Sequence, residues 1–271
     1  MSPLSSPPIS SLVAPGKCQF SEDFTAVPLL ERTSVSATTS LLKFGLPDAS
    51  QGLGLSTCAA ILARVEIKGE GVVRPYTPIS TNEEKGSFHL LVKHYDGEMM
   101  SDYMKKMDIG STLEFKHIAG NVKIQAPFKA QKIGMIVGGT GINPMIQALH
   151  HILGDADAKN EVSLVYGSRV STDILGDEML TKWAAENSDQ FSLTVKLSHE
   201  PADSAWDGER GYINKDDLAK HLPGPDMGDD VMIFVCGPPP MYDVFCGPRE
   251  EDELKGLLAE MGYKKEQVYK F

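Results

Sequence analysis

Residues 132–145 read KIGMIVGGTGINPM. A continuous apolar run, Ile133 to Val137, leads into Gly138, Gly139 and Gly141. A stretch with helical spacing, MIQALHHIL (145–153), follows. This is the sequence of a buried strand, a glycine turn and a helix. The glycines permit backbone conformations that a side chain would forbid, and they let a ligand approach closely. The helix N-terminus offers free N–H groups to a pyrophosphate.

Downstream the pattern repeats. VSLVYGS (162–168), FSLTVKLS (191–198) and VMIFVCGPPP (231–240) read as further apolar strands. LGDEMLTKWAAEN (175–187) and EDELKGLLAEMGY (251–263) read as helices between or after them. Such alternation predicts a parallel sheet covered by helices on both faces. Upstream the texture is different. TAVPLLERTSVS, LLKFGLP, AAILARVEIKG, SFHLLVKHY and STLEFKHI, within 25–118, read as strands separated by Gly and Pro clusters. One short helix is expected near Met100 to Met107. Short strands at this spacing predict a closed antiparallel barrel.

The expected division is therefore a tail over 1–23, a β-barrel domain over 24–130 and an α/β domain over 131–271. The tail is rich in Ser and Pro, with Lys17 its only basic residue, and is expected to be disordered. A cytoplasmic protein is expected, or an organellar one if that tail is a targeting peptide.

The chain has 271 residues, 26 Lys and Arg against 37 Asp and Glu, and a net charge of −11. That balance argues against nucleic acid as a partner, since phosphate binding needs a basic excess. No apolar run approaches the ~20 residues of a membrane-spanning helix, so no intrinsic membrane anchor is expected. The four cysteines, Cys18, Cys58, Cys236 and Cys246, form no CxxC pair, so neither a zinc site nor a disulfide framework is expected.

Three further motifs carry chemistry. VVRPYTPIS (72–80) offers Arg74 as a fixed cation, Tyr76 as an aromatic face and Thr77 as a hydroxyl. HYDGEMMSDYM (94–104) precedes the short helix, and Ser101 is expected to cap it. In MIFVCGPPPM (232–241) an apolar strand ends at Cys236, where ligands of open parallel sheets sit, and three prolines follow as a rigid edge.

RPYTPIS, LLVKHYDGEMMSDYM, GGTGINPM, CGPPPM and the terminal Phe271, in this order, resemble the NADH-cytochrome b5 reductase family of the ferredoxin–NADP reductase superfamily. The likeness spans about 24–271. It implies an antiparallel β-barrel that binds FAD and a nucleotide-binding domain for NADH or NADPH. The nicotinamide passes a hydride to the flavin, and single electrons then go to a haem protein, cytochrome b5. A flavin module of a nitrate reductase-like or b5-fused protein is the alternative. A fold retained as a non-catalytic scaffold is the other class.

The same resemblance implies roles. Arg74 and Pro75 would hold the FAD pyrophosphate, with Gly97, Met99, Met100 and Ser101 completing the phosphate seat. Tyr76, Thr77, Leu91, Lys93 and Tyr95 would surround the flavin. Gly139, Thr140 and Gly141 would serve both nucleotides. Cys236, Gly237, Pro238, Pro239 and Met241 would face the nicotinamide. Thr77, Lys93 and Cys236 are the expected catalytic positions. Ser168, Arg169, Ser198 and Tyr212 would meet the rest of the coenzyme. Members that prefer NADH tend to carry Asp where Ser198 stands, so the corner formed with Arg169 and His199 implies tolerance of NADPH. The family usually has His at the positions of Ala37 and Cys58 and a basic residue at Met99. Cytochrome b5 is acidic, which implies a lysine face drawn from Lys105, Lys106, Lys116, Lys123, Lys129 and Lys132.

Overall fold

The computed structural model describes residues 2–95, 97, 99–120 and 122–271; the Met99 side chain lies outside the described residues. Six strands form the first sheet: β1 (Thr25–Ser36), β2 (Thr39–Gly45), β3 (Ile61–Ile67), β4 (Glu70–Tyr76), β5 (Ser87–Lys93) and β6 (Thr112–His117). Helix α1 (Met99–Lys106) lies between β5 and β6. The strand order is β4-β3-β6-β1-β2-β5, antiparallel throughout. The expected antiparallel barrel takes the form of a curled half-barrel, whose end strands β4 and β5 pair with β3 and β2. Phe20, Phe44, Phe88 and Phe115 fill its concave side, with ring centroids 5.0–5.8 Å apart.

The second sheet is parallel, in the order β10-β9-β8-β7-β11-β12. Its strands are β7 (Lys132–Gly138), β8 (Glu161–Ser168), β9 (Phe191–Leu197), β10 (Glu209–Arg210), β11 (Val231–Cys236) and β12 (Val268–Lys270). The helices are α2 (Ile142–Gly154), α3 (Asp177–Glu186), α4 (Lys215–His221), α5 (Pro239–Phe245) and α6 (Gly256–Glu260). The four predicted strands are present. The last helix is much shorter than 251–263. Gly256 has φ +66°, and a Cβ there would stand 2.4 Å from the Val244 carbonyl, so the chain turns where the pattern suggested continuity. The three prolines are built into the start of a helix. Pro238 caps α5, while Pro239 and Pro240 open it, where a missing N–H costs nothing.

The sheets share a seam. Leu41, Cys58, Ile79 and Leu91 of the first half belong to one continuous core with Ile142, Met145 and Ile146 of α2. The polar side of α2 is tied down as well. Asn143 Nδ2 donates to the Leu91 carbonyl (3.2 Å), and Gln147 Nε2 donates to those of Pro78 (2.6 Å) and Ser80 (2.8 Å).

The expected disordered tail instead runs across this seam. Trp183 Nε1 donates to the Ser6 carbonyl, the Ile9 N–H to His150 Nδ1, and the Asn82 N–H to Ser11 Oγ. Gly154 admits the crossing, since a Cβ would lie 2.6 Å from the Ser10 nitrogen. Composition suggested disorder, but backbone hydrogen bonding and the buried Pro3 hold the segment.

Burial lowers the His150 pKa from 6.5 to about 4. Between those values the unfolded chain binds a proton that the folded chain refuses, so stability falls as pH drops through that window. The thermal midpoint is expected to decline from pH 6.5 towards 4. His150→Asn, whose Oδ1 stands in for Nδ1, should flatten the slope in a calorimetric pH series; identical slopes would contradict the assignment.

Candidate active-site cleft

The carboxyl ends of the central parallel strands make the ligand edge. β7 lies between β8 and β11, with Gly138 paired to Gly167 and Val137 to Cys236. At this reversal of strand order a crevice opens. Gly139 turns with φ +54°, and the glycine turn continues directly into α2. Gly141 packs so tightly that a Cβ would lie 2.2 Å from the Cys236 carbonyl oxygen. Tyr166, fully buried, donates from its hydroxyl to the Gly139 carbonyl (3.0 Å) and accepts from the Leu175 N–H (3.1 Å). The glycine turn is thereby held from below.

A cavity of about 1270 Å³ joins this edge to the half-barrel. Arg74, Pro75, Tyr76, Thr77, Leu91, Lys93, Tyr95, Met100 and Ser101 line it from the first half. Gly139, Thr140, Gly141, Cys236, Gly237, Pro238 and Met241 line it from the second. Ser168, Arg169, Ser198 and Tyr212 extend it along the sheet edge. Gly97 and Pro239 do not line it, and the Met99 side chain lies outside the described residues. Pro239 occupies the first turn of α5, and Pro240 takes the lining position in its place. Ser101 does not cap α1. It lies inside the first turn, where its Oγ accepts from the Tyr95 N–H (3.3 Å).

Sequence reasoning missed several lining groups. Lys123 and Arg249 bring two cations into the cleft near Cys236. Burial first, and then Arg249, lowers the Lys123 pKa. Cys58, with φ +60°, approaches the Pro144 carbonyl through its Sγ (3.1 Å). Burial raises the Cys58 thiol far above its usual range and the Cys236 thiol to about 11. Both are neutral thiols near pH 7, so neither is a thiolate nucleophile. The anticipated lysine face divides. Lys123 enters the cleft and Lys132 pairs with Glu161 (2.9 Å), while Lys105, Lys106 and Lys129 stay exposed.

These residues fit a flavin dinucleotide beside a pyridine dinucleotide. The exposed Arg74 guanidinium donates to the Val73 carbonyl (2.8 Å) and keeps further N–H donors for phosphate. A Cβ on Gly138 would meet the Met241 sulfur and one on Gly141 the Cys236 carbonyl, so at these two positions the turn is bare backbone. Tyr76, Leu91 and Tyr95 offer apolar and aromatic surface to flat rings.

Two family models match the chain: the oxidoreductase FAD-binding domain over residues 26–124 and the oxidoreductase NAD-binding domain over 135–247. NADH-cytochrome b5 reductase 2 of Scheffersomyces stipitis is 39% identical over 255 residues, covering 92% of this chain and 84% of the relative. The protein of the same name in Saccharomyces cerevisiae is 37% identical over 250 residues, covering 90% and 82%. Among solved structures, the cytochrome b5 reductase domain of Ulva prolifera nitrate reductase superposes with a TM-score of 0.81 at 27% identity, covering 97% of this chain and 100% of that domain.

Gly141→Ala is expected to break the contact between α2 and β11. Coenzyme-driven flavin reduction should fall by at least ~10-fold and the thermal midpoint should drop. Gly71→Ala, with open space around its Cβ, should change neither; a fully active Gly141→Ala protein would contradict the packing argument.

Proposed function

The chain belongs to the NADH-cytochrome b5 reductase family of FAD-dependent NADH oxidoreductases, and from that premise we propose that it passes electrons singly to an acidic haem protein, cytochrome b5. One observation carries the reading. Thr77 from the half-barrel and Cys236 from the parallel sheet line the same cleft. Bound there, FAD would accept a hydride from the nicotinamide and release its electrons one at a time.

The chain's own residues bind, orient and exclude water. Arg74 and the α1 N-terminus, with Met100 and Ser101, hold the FAD pyrophosphate. Tyr76 and Leu91 would pack along the flavin, and the Thr77 hydroxyl would serve its reactive edge. Lys93 and Tyr95, which line the same cleft, would flank the place where the two rings meet. Gly139, Thr140 and Gly141 receive the coenzyme pyrophosphate. Cys236, Gly237, Pro238 and Met241 form the wall against which the nicotinamide lies, with the Cys236 thiol neutral. Hydride transfer needs two rings held near contact and little proton movement, so positioning supplies most of the rate. This explains a reductase without a paired-carboxylate or Ser-His-Asp constellation.

Charge supports the choice of docking half. Residues 1–130 carry 13 acids and 13 bases, whereas residues 131–271 carry 24 acids and 13 bases. An acidic partner is repelled by the second half and meets no net repulsion from the first. Anaerobic stopped-flow tests the proposal. NADH should bleach the bound flavin, and added ferric cytochrome b5 should restore its colour as the haem is reduced. Bleaching without haem reduction would overturn the acceptor, and no bleaching would overturn the reductase reading.

The coenzyme corner supports tolerance of NADPH. Arg169 is exposed at the end of β8. Ser198 Oγ lies 2.7 Å from His199 Nδ1, and the His199 ring lies 5.9 Å from that of Tyr212. The neighbouring acid, Glu200, is occupied by the Ser171 N–H (2.7 Å) and hydroxyl (3.0 Å). Preference for NADH in kcat/KM is expected to stay below ~100-fold, about 3 kcal/mol. Arg169→Ala should lower kcat/KM for NADPH by ~10-fold and leave NADH nearly unchanged, through loss of a phosphate contact. A larger NADH preference, or equal loss with both coenzymes, would contradict this.

A further inference from the structure

Asp173 ends a one-turn 3-10 helix (Ser171–Asp173) that follows β8. It does not line the cleft. Its carboxylate reaches across the seam instead. Oδ2 pairs with Lys93 Nζ at 2.9 Å, and Oδ1 accepts from Thr38 Oγ1 at 3.1 Å. Both partners belong to the half-barrel and are neighbours there. Thr39 pairs with Lys93 in the β2–β5 register, and the Thr38 carbonyl accepts from the His94 N–H (2.6 Å). The ion pair is nearly dry, with side-chain exposures of 10% for Lys93 and 16% for Asp173. The turn that carries Asp173 is itself anchored, because Glu200 accepts from both the N–H and the hydroxyl of Ser171.

We propose that Asp173 is a positioning residue for hydride transfer: it clasps the two halves together and holds the Lys93 ammonium at the lip of the cleft. The inference rests on the assignment of that cleft as the meeting place of flavin and nicotinamide. Lys93 lines the cleft and lies 5.7 Å from the centre of the Tyr95 ring. A four-carbon ammonium side chain has many rotamers, and only a fixed counter-charge selects one. Asp173 supplies that charge from the other half, so a single contact sets both the Lys93 rotamer and the separation of the halves. Removal of the carboxylate leaves a nearly buried ammonium unpaired, which favours its escape towards water and an opened seam. The Thr38 bond fixes the carboxylate plane.

The test compares Asp173→Asn, Asp173→Glu, Thr38→Val, Lys93→Met and the double variant Asp173→Asn with Lys93→Met. In the holoenzyme, Asp173→Asn is expected to lower the limiting rate of flavin reduction by ~10-fold or more while coenzyme Kd moves by less than ~3-fold and FAD content is unchanged. Asp173→Glu should recover part of the rate, and Thr38→Val should show a smaller loss in the same direction. The double variant should be no slower than Lys93→Met alone, because the two residues act as one unit. Amide hydrogen exchange on the apoprotein gives a readout without chemistry, in which residues 38–40 and 171–174 should both lose protection in Asp173→Asn. Limiting rates within ~2-fold of wild type, fully multiplicative losses in the double variant, or unchanged exchange at both segments would each overturn the clasp. Should Asp173→Asn fail to fold, Thr38→Val carries the same comparison. Wild-type flavin that NADH does not reduce would defeat the functional reading instead, and hydrogen exchange would still decide the clasp.

Discussion

The seam between α2 and the half-barrel is the contact on which the rest of the molecule depends. Two side-chain amides, Asn143 and Gln147, donate to three carbonyls of the opposite half, Leu91, Pro78 and Ser80. Those carbonyls flank the strand and turn that carry Lys93 and Thr77. The helix that makes these bonds begins at the glycine turn. One helix therefore fixes the glycine turn and the half-barrel wall of the cleft at once. An unmade bond there would leave a buried carbonyl unpaired, at about 1–3 kcal/mol each. Apolar packing reinforces the same register, since Leu41, Ile79 and Leu91 share a core with Ile142, Met145 and Ile146.

Much of this was legible in the sequence, for identifiable reasons. Buried parallel strands are apolar throughout, so KIGMIV, VSLVYGS and VMIFVC announce themselves. Glycine at a turn too close for a Cβ, as at Gly141, is a backbone requirement that appears directly as a residue type. What was illegible depends on distant pairing. Whether β4 meets β5 is not written in either strand, so a half-barrel and a closed barrel look alike. Asn143, Gln147 and Asp173 are single polar residues whose partners lie 52 to 135 positions away in the chain. No local pattern marks them. The tail misled because Ser and Pro suggest disorder when the carbonyls and imidazoles that receive it are unknown. Lys123 looked like a surface lysine because its burial arises only when the two halves close.

The electrostatics of the cleft suit a reaction that moves electrons and a hydride. Its two thiols are held neutral by burial. Its cations, Arg74, Lys93, Lys123, Arg169, Lys196 and Arg249, come from both halves and suit dinucleotides rich in phosphate. The net negative charge of the chain resides in the second half. A basic lining drawn from both halves favours a phosphate-rich coenzyme locally, although the second half as a whole is acidic.

The stereochemistry of hydride transfer tests the central claim most directly. Two rings held between Thr77 and Cys236, as proposed, would expose one face of the nicotinamide to the flavin. Anaerobic stopped-flow reduction with NADH deuterated at C4 on one face, and separately on the other, reads this out. The account predicts a primary isotope effect from one face only, with deuterium retained on the other face of the product. Equal slowing from both faces would contradict it, because the coenzyme would then enter the cleft without a fixed orientation.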